Sequence, residues 1–226
     1  MKTKLAIFDI DGTLVDSRAV ITECMQEAFE QHGLSKPSYD VVRTIVGLSL
    51  ETAIDKIAPR DISHDDLLVL VERYKTAFIQ RREAKTLDEP LYTGAMDLLE
   101  TLRADGWTMG VATGKSRRGL DAIIKTHGFD RFFDCHFCAD DGPGKPHPSM
   151  IHANLNACGV LPQNAVMIGD TSFDMIMSKA AEVKAIGVTW GFHTSEEIAV
   201  GGADHLVDTM EELGAVLNQF SRLHAL

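Results

Sequence analysis

The sequence predicts an α/β protein, a doubly wound parallel sheet whose first strand is cut off from the others by a block of helices. Three observations lead there. A short apolar run, Leu5 to Phe8, stops abruptly at Asp9-Ile10-Asp11-Gly12-Thr13, the form of a buried parallel strand with polar groups at its C-terminal end. From Asp16 to about Lys85 the periodicity is helical and no convincing strand intervenes. Beyond Gly94, short apolar stretches alternate with helical ones, which is the pattern of a parallel sheet covered on both faces.

The elements follow in order. Ser17 is a plausible N-cap for a helix running to about Gly33, with Val20, Ile21, Cys24, Met25, Ala28 and Phe29 on one face. Residues 38–47 and 49–58 read as two further short helices. The next starts near Ser63, with Asp66 three residues on and Leu67, Val71, Tyr74 and Phe78 as its stripe. Thr86–Thr93 is a connector, and Gly94 opens a helix ending at Gly106. Strands are then expected at Trp107–Thr113, Phe133–Cys138, Ala165–Gly169, Val183–Val188 and Asp204–Val207. The division is therefore a core of residues 1–15 and 86–226 and a helical insert of 16–85.

Composition narrows the function. A chain of 226 residues with 45% hydrophobic and 24% charged residues can build one large domain carrying a smaller insert. A net charge of −11 argues against nucleic acid or an anionic membrane as a partner. An anionic substrate must then be drawn in by a local cation or a few placed basic groups. No run approaches a membrane span, and no apolar leader region precedes Asp9. Cys24, Cys135, Cys138 and Cys158 show no framework spacing, so free thiols in a reducing cytoplasm are expected. The chain is expected to act as a monomer or homodimer.

The chemistry collects at strand ends. Side chains at i and i+2 share one side of a strand, so Asp9 and Asp11 are offered together. Two carboxylates at 4 Å repel by about 4 kcal/mol at an effective dielectric of about 20, so a proton or a cation must join them. Thr113-Gly114 puts a hydroxyl and a glycine before a helix start, suited to a phosphate oxygen or simply to capping. Gly142-Pro143-Gly144-Lys145-Pro146 holds one lysine in a stiff loop, with His147 close by. Gly169-Asp170 ends another apolar strand, and Asp174 folds back over it if Thr171 starts a helix. A parallel sheet places all these ends on one edge, where open α/β sheets bind ligands. Hard carboxylate oxygens there, completed by a phosphate substrate, suit Mg²⁺.

Asp9-Ile10-Asp11-Gly12-Thr13-Leu14-Val15-Asp16-Ser17, Thr113, Lys145-Pro146 and Gly169-Asp170-x-x-x-Asp174 resemble, in order, the four motifs of the haloacid dehalogenase superfamily. The nearest likeness is to its phosphoglycolate phosphatase-like group. The resemblance implies a Rossmann-like core and makes the insert a helical cap. It also implies that Asp9 is the nucleophile, forming an aspartyl-phosphate, and that Asp11 is the general acid and base. Mg²⁺ would be held by Asp9, the main-chain carbonyl of Asp11 and Asp170, with Asp174 in support. Thr113, Gly114 and Lys145 would bind the phosphoryl group of a small phosphorylated substrate. Gly114 departs from the asparagine of many relatives. Asp11, absent from dehalogenases of the superfamily, points to phosphohydrolase chemistry.

Arg43, in the stretch Val42–Ser49, is the cap residue chosen to pair with a substrate carboxylate or second phosphate; a surface acid is its other natural partner. A β-phosphoglucomutase-like mutase shares the cap and motifs, and nucleotide or pyrophosphate hydrolases share the shape. A P-loop NTPase is disfavoured, because Gly110 comes one residue too late for the phosphate loop ending Gly114-Lys115-Ser116. A receiver module would not need so large an insert. Cys135-x-x-Cys138 lacks a second pair and lies in an expected strand, so it reads as packing.

Overall fold

The computed structural model describes residues 4–223; positions 1–3 and 224–226, the outer ends of the core as read from the sequence, lie outside the described residues. The strands are β1 (Leu5–Phe8), β2 (Thr108–Thr113), β3 (Cys135–Cys138), β4 (Ala165–Gly169), β5 (Lys184–Val188) and β6 (His205–Val207). They form one parallel sheet in the order β3-β2-β1-β4-β5-β6. Strand order could not be read from the sequence, and it decides where the site lies. The chain runs outward from β1 through β2 to β3, then returns to the other side of β1 with β4. The order reverses between β1 and β4, and a crevice opens there at the strand ends.

Both faces of the sheet are covered. Ala6 and Phe8 pack with Leu98, Leu120, Leu213 and Leu217, from α5 (Ala95–Ala104), α6 (Arg117–His127) and α10 (Met210–Leu223). Leu5 and Ile7 point the other way, to Met150, Ile151 and Met177 of α7 (Ser149–Cys158) and α8 (Ser172–Ala180). Alternation along one strand thus feeds two cores, which is why β1 is apolar at every position. The remaining helix of the core, α9 (Ser195–Gly201), lies between β5 and β6 in the chain.

Between β1 and β2 the chain forms α1 (Arg18–Gln31), α2 (Tyr39–Val42), α3 (Leu50–Ile57) and α4 (His64–Glu83). These helices bury a cluster of their own, including Ile21, Met25, Phe29, Ile54 and Leu70, and the cluster takes in Phe192 from the core. The two connections run side by side: Asp16 N donates to Pro90 O at 2.8 Å and Tyr92 N to Leu14 O at 3.0 Å, and Val15 bridges Leu91 in the antiparallel sense.

Local details differ from the sequence expectation. Ser17 stands at the N-cap of α1, but its hydroxyl makes no capping bond and, among the described residues, is buried without a hydrogen-bond partner. Asp16 Oδ1 accepts the Arg18 N–H instead, at 3.3 Å. The helix expected over 38–47 shrinks to the single turn of α2. Its sequence, Val41-Val42-Arg43-Thr44-Ile45-Val46, is rich in β-branched residues, and the Thr44 hydroxyl donates to Val41 O. Ser63 does cap α4, accepting from Asp66 N at 3.1 Å. β3 starts two residues later than expected because Phe133 N is still held in a turn by Phe129 O.

Candidate active site

At the end of β1, Asp9 is 1% exposed. Its Oδ1 accepts the N–H of Ile10 at 2.7 Å, and its Oδ2 lies 2.8 Å from Lys145 Nζ. Gly12 then turns the chain with φ +77, a conformation side chains rarely adopt. A Cβ there would also fall 2.1 Å from Asp170 Oδ2, so the turn and the close approach both require glycine. The next residue uses that proximity: Thr13 Oγ1 donates to Asp170 Oδ1 at 2.9 Å.

β4 delivers Asp170 to the other side of the crevice. Its Oδ2 accepts the N–H of Phe192 at 2.8 Å. Asp174 lies in the first turn of α8 and divides its work between its two oxygens. Oδ2 accepts from Thr171 N and Thr171 Oγ1 at 3.1 and 2.7 Å, which caps the helix. Oδ1 lies 2.6 Å from Lys145 Nζ. The spacing argument for Asp174 therefore holds together with the capping one.

Lys145 projects from its proline-flanked loop into this cluster, with its side chain fully buried between Asp9 and Asp174. One carboxylate oxygen each from Asp9, Asp170 and Asp174 lie within 4.8 Å of one another. Burial pushes the Asp9 carboxyl up to about 7, with Asp174 and Asp11 adding to the rise and Lys145 opposing it. Burial, then the charges of Asp9 and Asp174, raise Asp170 well above the usual carboxylate range. Three buried acids facing one ammonium are short of positive charge. The one Lys145 ammonium is shared by Asp9 Oδ2 and Asp174 Oδ1. An all-oxygen donor set with that deficit fits a hard divalent cation such as Mg²⁺.

Asp11 is beside this group but not part of it. Its Oδ1 lies 2.9 Å from Lys115 Nζ, which is also 3.2 Å from Glu89 Oε1. Burial works against the Lys115 ammonium, but Asp11 and then Glu89 outweigh it and hold its pKa above the ordinary lysine value. Neither partner was singled out as a site residue from the sequence. Lys115 was visible only as part of an imperfect phosphate loop, and Glu89 as one acid in a connector.

At the end of β2, Thr113 is fully buried and its hydroxyl accepts from Lys115 N at 3.3 Å. The reason for Gly114 is steric. A Cβ there would meet the main-chain oxygens of Gly47 and Leu48 at 2.5 and 2.8 Å. The loop at Gly47-Leu48 presses onto the loop after β2 at the point where a larger residue would hold it off. Ser49, next in that loop, also packs against Gly144.

Arg43 is not turned to the acids: its guanidinium pairs with Glu197 of α9 at 2.7 Å and donates to Phe192 O at 3.4 Å. His147 is exposed, and its Nδ1 accepts the Ser149 N–H at the start of α7. Cys135 contacts Cys158 and Asn154, whereas Cys138 packs into the core on the opposite face. All four cysteines are free.

The family model described as haloacid dehalogenase-like hydrolase matches residues 6–188, from β1 to the end of β5. The chain is a haloacid dehalogenase-like hydrolase. It is 33% identical over 214 residues to "Probable phosphatase IndB" of Dickeya dadantii, covering 92% of this chain and 91% of that one. It is 27% identical to pyrophosphatase PpaX of Anoxybacillus flavithermus (98% of this chain, 100% of that one). To phosphoglycolate phosphatase of Colwellia psychrerythraea it is 26% identical (93% and 95%). Among solved structures, a haloacid dehalogenase-like family hydrolase from Streptococcus pneumoniae superposes with a TM-score of 0.82 at 25% identity, over 95% of this chain and 98% of that one. No described helix of this hydrolase is long and apolar enough to cross a membrane.

Proposed function

We propose that this phosphatase hydrolyses small phosphoric monoesters through a phosphorylated Asp9, with Mg²⁺ as cofactor and a phosphorylated acid such as phosphoglycolate as the favoured substrate. The observation that carries the reading is the meeting of Asp9, Asp170, Asp174 and Lys145 at the reversal of strand order, with Asp11 alongside.

Asp9 attacks phosphorus, its new O–P bond forming as the bond to the leaving oxygen breaks. Its Oδ1 is steadied by the Ile10 N–H, which fixes the plane of the carboxylate. Asp11 gives the leaving oxygen a proton. It then takes one from the water that attacks the phosphorylated Asp9, and phosphate departs with the carboxylate restored. Thr113 and Lys145 bind the transferring phosphoryl oxygens, and the loop around Gly114 lets the cap close over them. Asp9, the main-chain carbonyl of Asp11 and Asp170 would hold Mg²⁺, with Asp174 in support. Bound there, the ion supplies positive charge to carboxylates and phosphoryl oxygens that must approach each other.

A phosphorylated acid is favoured by the phosphoglycolate phosphatase relative, and Arg43 is the cap cation proposed to meet its carboxylate. To do so Arg43 must exchange Glu197, its partner in the structure. The pyrophosphatase relative supports a second reading, pyrophosphate as substrate. A phosphate-release screen with Mg²⁺, over phosphorylated acids, sugars, nucleotides and pyrophosphate, tests these readings. Release from a small phosphorylated acid, abolished by chelation and restored by Mg²⁺, is the expected outcome. Isomerised sugar phosphate without free phosphate would identify a mutase instead.

A further inference from the structure

We infer that Lys115 and Glu89 are positioning residues for Asp11, forming a relay through which the connection returning from the cap sets the aim of the acid–base carboxylate. The inference rests on the acid–base role proposed for Asp11.

The ion triad is closed and buried. The side chains of Lys115 and Asp11 are each 10% exposed and that of Glu89 is 6% exposed. Lys115 Nζ approaches Asp11 Oδ1 at 2.9 Å and Glu89 Oε1 at 3.2 Å. A carboxylate held by a buried ammonium that is itself held by a second acid has a restricted orientation, as a substrate-facing acid–base group requires.

The three residues come from three connected places. Asp11 follows β1, and Lys115 follows β2 two residues after the phosphate-binding Thr113. Glu89 belongs to the connection leading back from α4, one residue before Pro90, whose oxygen holds Asp16 N in the paired linkers. Cap contacts converge here too: Arg82 of α4 lies 3.8 Å from Glu89, and Phe78 of α4 places its ring 5.9 Å from Lys115 Nζ. A shift of α4 or of its return connection therefore moves the Lys115 ammonium, and Asp11 with it. Glu89 also takes up part of the ammonium's charge, so Lys115 orients Asp11 without monopolising it.

Leaving-group dependence provides a test that a purely structural role would not satisfy. Propyl phosphate needs a proton on its departing oxygen, whereas 2,4-dinitrophenyl phosphate does not, and kcat/KM reports the steps up to phosphorylation of Asp9. Lys115→Met should lower kcat/KM about 100-fold for propyl phosphate and less than about 3-fold for 2,4-dinitrophenyl phosphate. Glu89→Gln should show the same preference to a smaller degree, and Lys115→Arg should recover part of the loss. Should Lys115→Met fail to fold, Glu89→Gln and Lys115→Arg carry the same comparison. Equal losses on both substrates would overturn the inference, and so would a loss confined to substrates with a second anion, which would make Lys115 an anion-binding group. Asp11→Asn is run beside them. If it shows no leaving-group dependence, the acid role of Asp11 fails first. If it does and the Lys115 variants do not, only the relay fails.

Discussion

At the scale of single residues, this hydrolase concentrates its acids where solvent cannot screen them. Asp9→Asn removes the oxygen proposed to attack phosphorus and one of the crowded charges, while Lys145 keeps Asp174 as a partner. Turnover of p-nitrophenyl phosphate should fall at least about 1,000-fold, with the melting temperature held within about 5 °C of the parent. A variant retaining near-normal kcat would remove Asp9 from the nucleophile's place. Asp9, Asp11 and Asp170 were legible in the sequence because an apolar strand stops at them, Asp174 through its spacing from Asp170, and Lys145 because it sits within a stiff loop. Lys115 and Glu89 were not, because a buried ion pair between residues far apart in sequence leaves no local pattern. Arg43 shows the same limit: its spacing placed it in the cap, but only the fold reveals Glu197 opposite it. The substrate reading makes a signed prediction for this pair. Arg43→Ala should raise KM for a phosphorylated acid about 10-fold, Glu197→Gln should lower it, and p-nitrophenyl phosphate should register neither. Parallel changes on both substrates would mark the pair as a tie between cap and core.

At the scale of elements, the loop at Gly47-Leu48 and the loop after β2 fit because position 114 has no side chain. In Gly114→Asn the new Cβ would collide with the Gly47 and Leu48 carbonyls, and main-chain atoms cannot swing aside. The cap must then ride higher, with kcat/KM expected to fall about 10- to 100-fold and faster proteolytic cleavage in the connection 86–94. An unchanged rate and cleavage pattern would show that this contact is dispensable. Strands and long helices were readable because their apolar periodicity spans several turns or alternates cleanly. The 38–47 segment was not, because its β-branched residues favour a helical face by pattern and resist the helix by geometry.

At the scale of the whole molecule, folding has to gather acids that repel each other. Without metal, burial lifts Asp9 from 3.8 to about 7 and raises Asp170 as well. The native state then keeps protons that the unfolded chain has already released. The stability contributed by these groups is full below their unfolded pKa and is lost as pH rises through the folded one. A divalent cation takes the protons' place, so Mg²⁺ should raise the melting temperature more at about pH 8 than at about pH 5.5. Equal increments at both, read by scanning fluorimetry, would argue against a carboxylate metal site. The paired connections carry a consequence for ancestry and engineering. Leu14 and Tyr92, and Asp16 and Pro90, are hydrogen-bonded neighbours, so the chain leaves the core and re-enters it at almost the same point. The segment between is therefore expected to be exchangeable as a unit. A short turn joining Val15 to Leu91 should leave the sheet's connectivity intact, and a lid of another shape could be grafted on the same two stems.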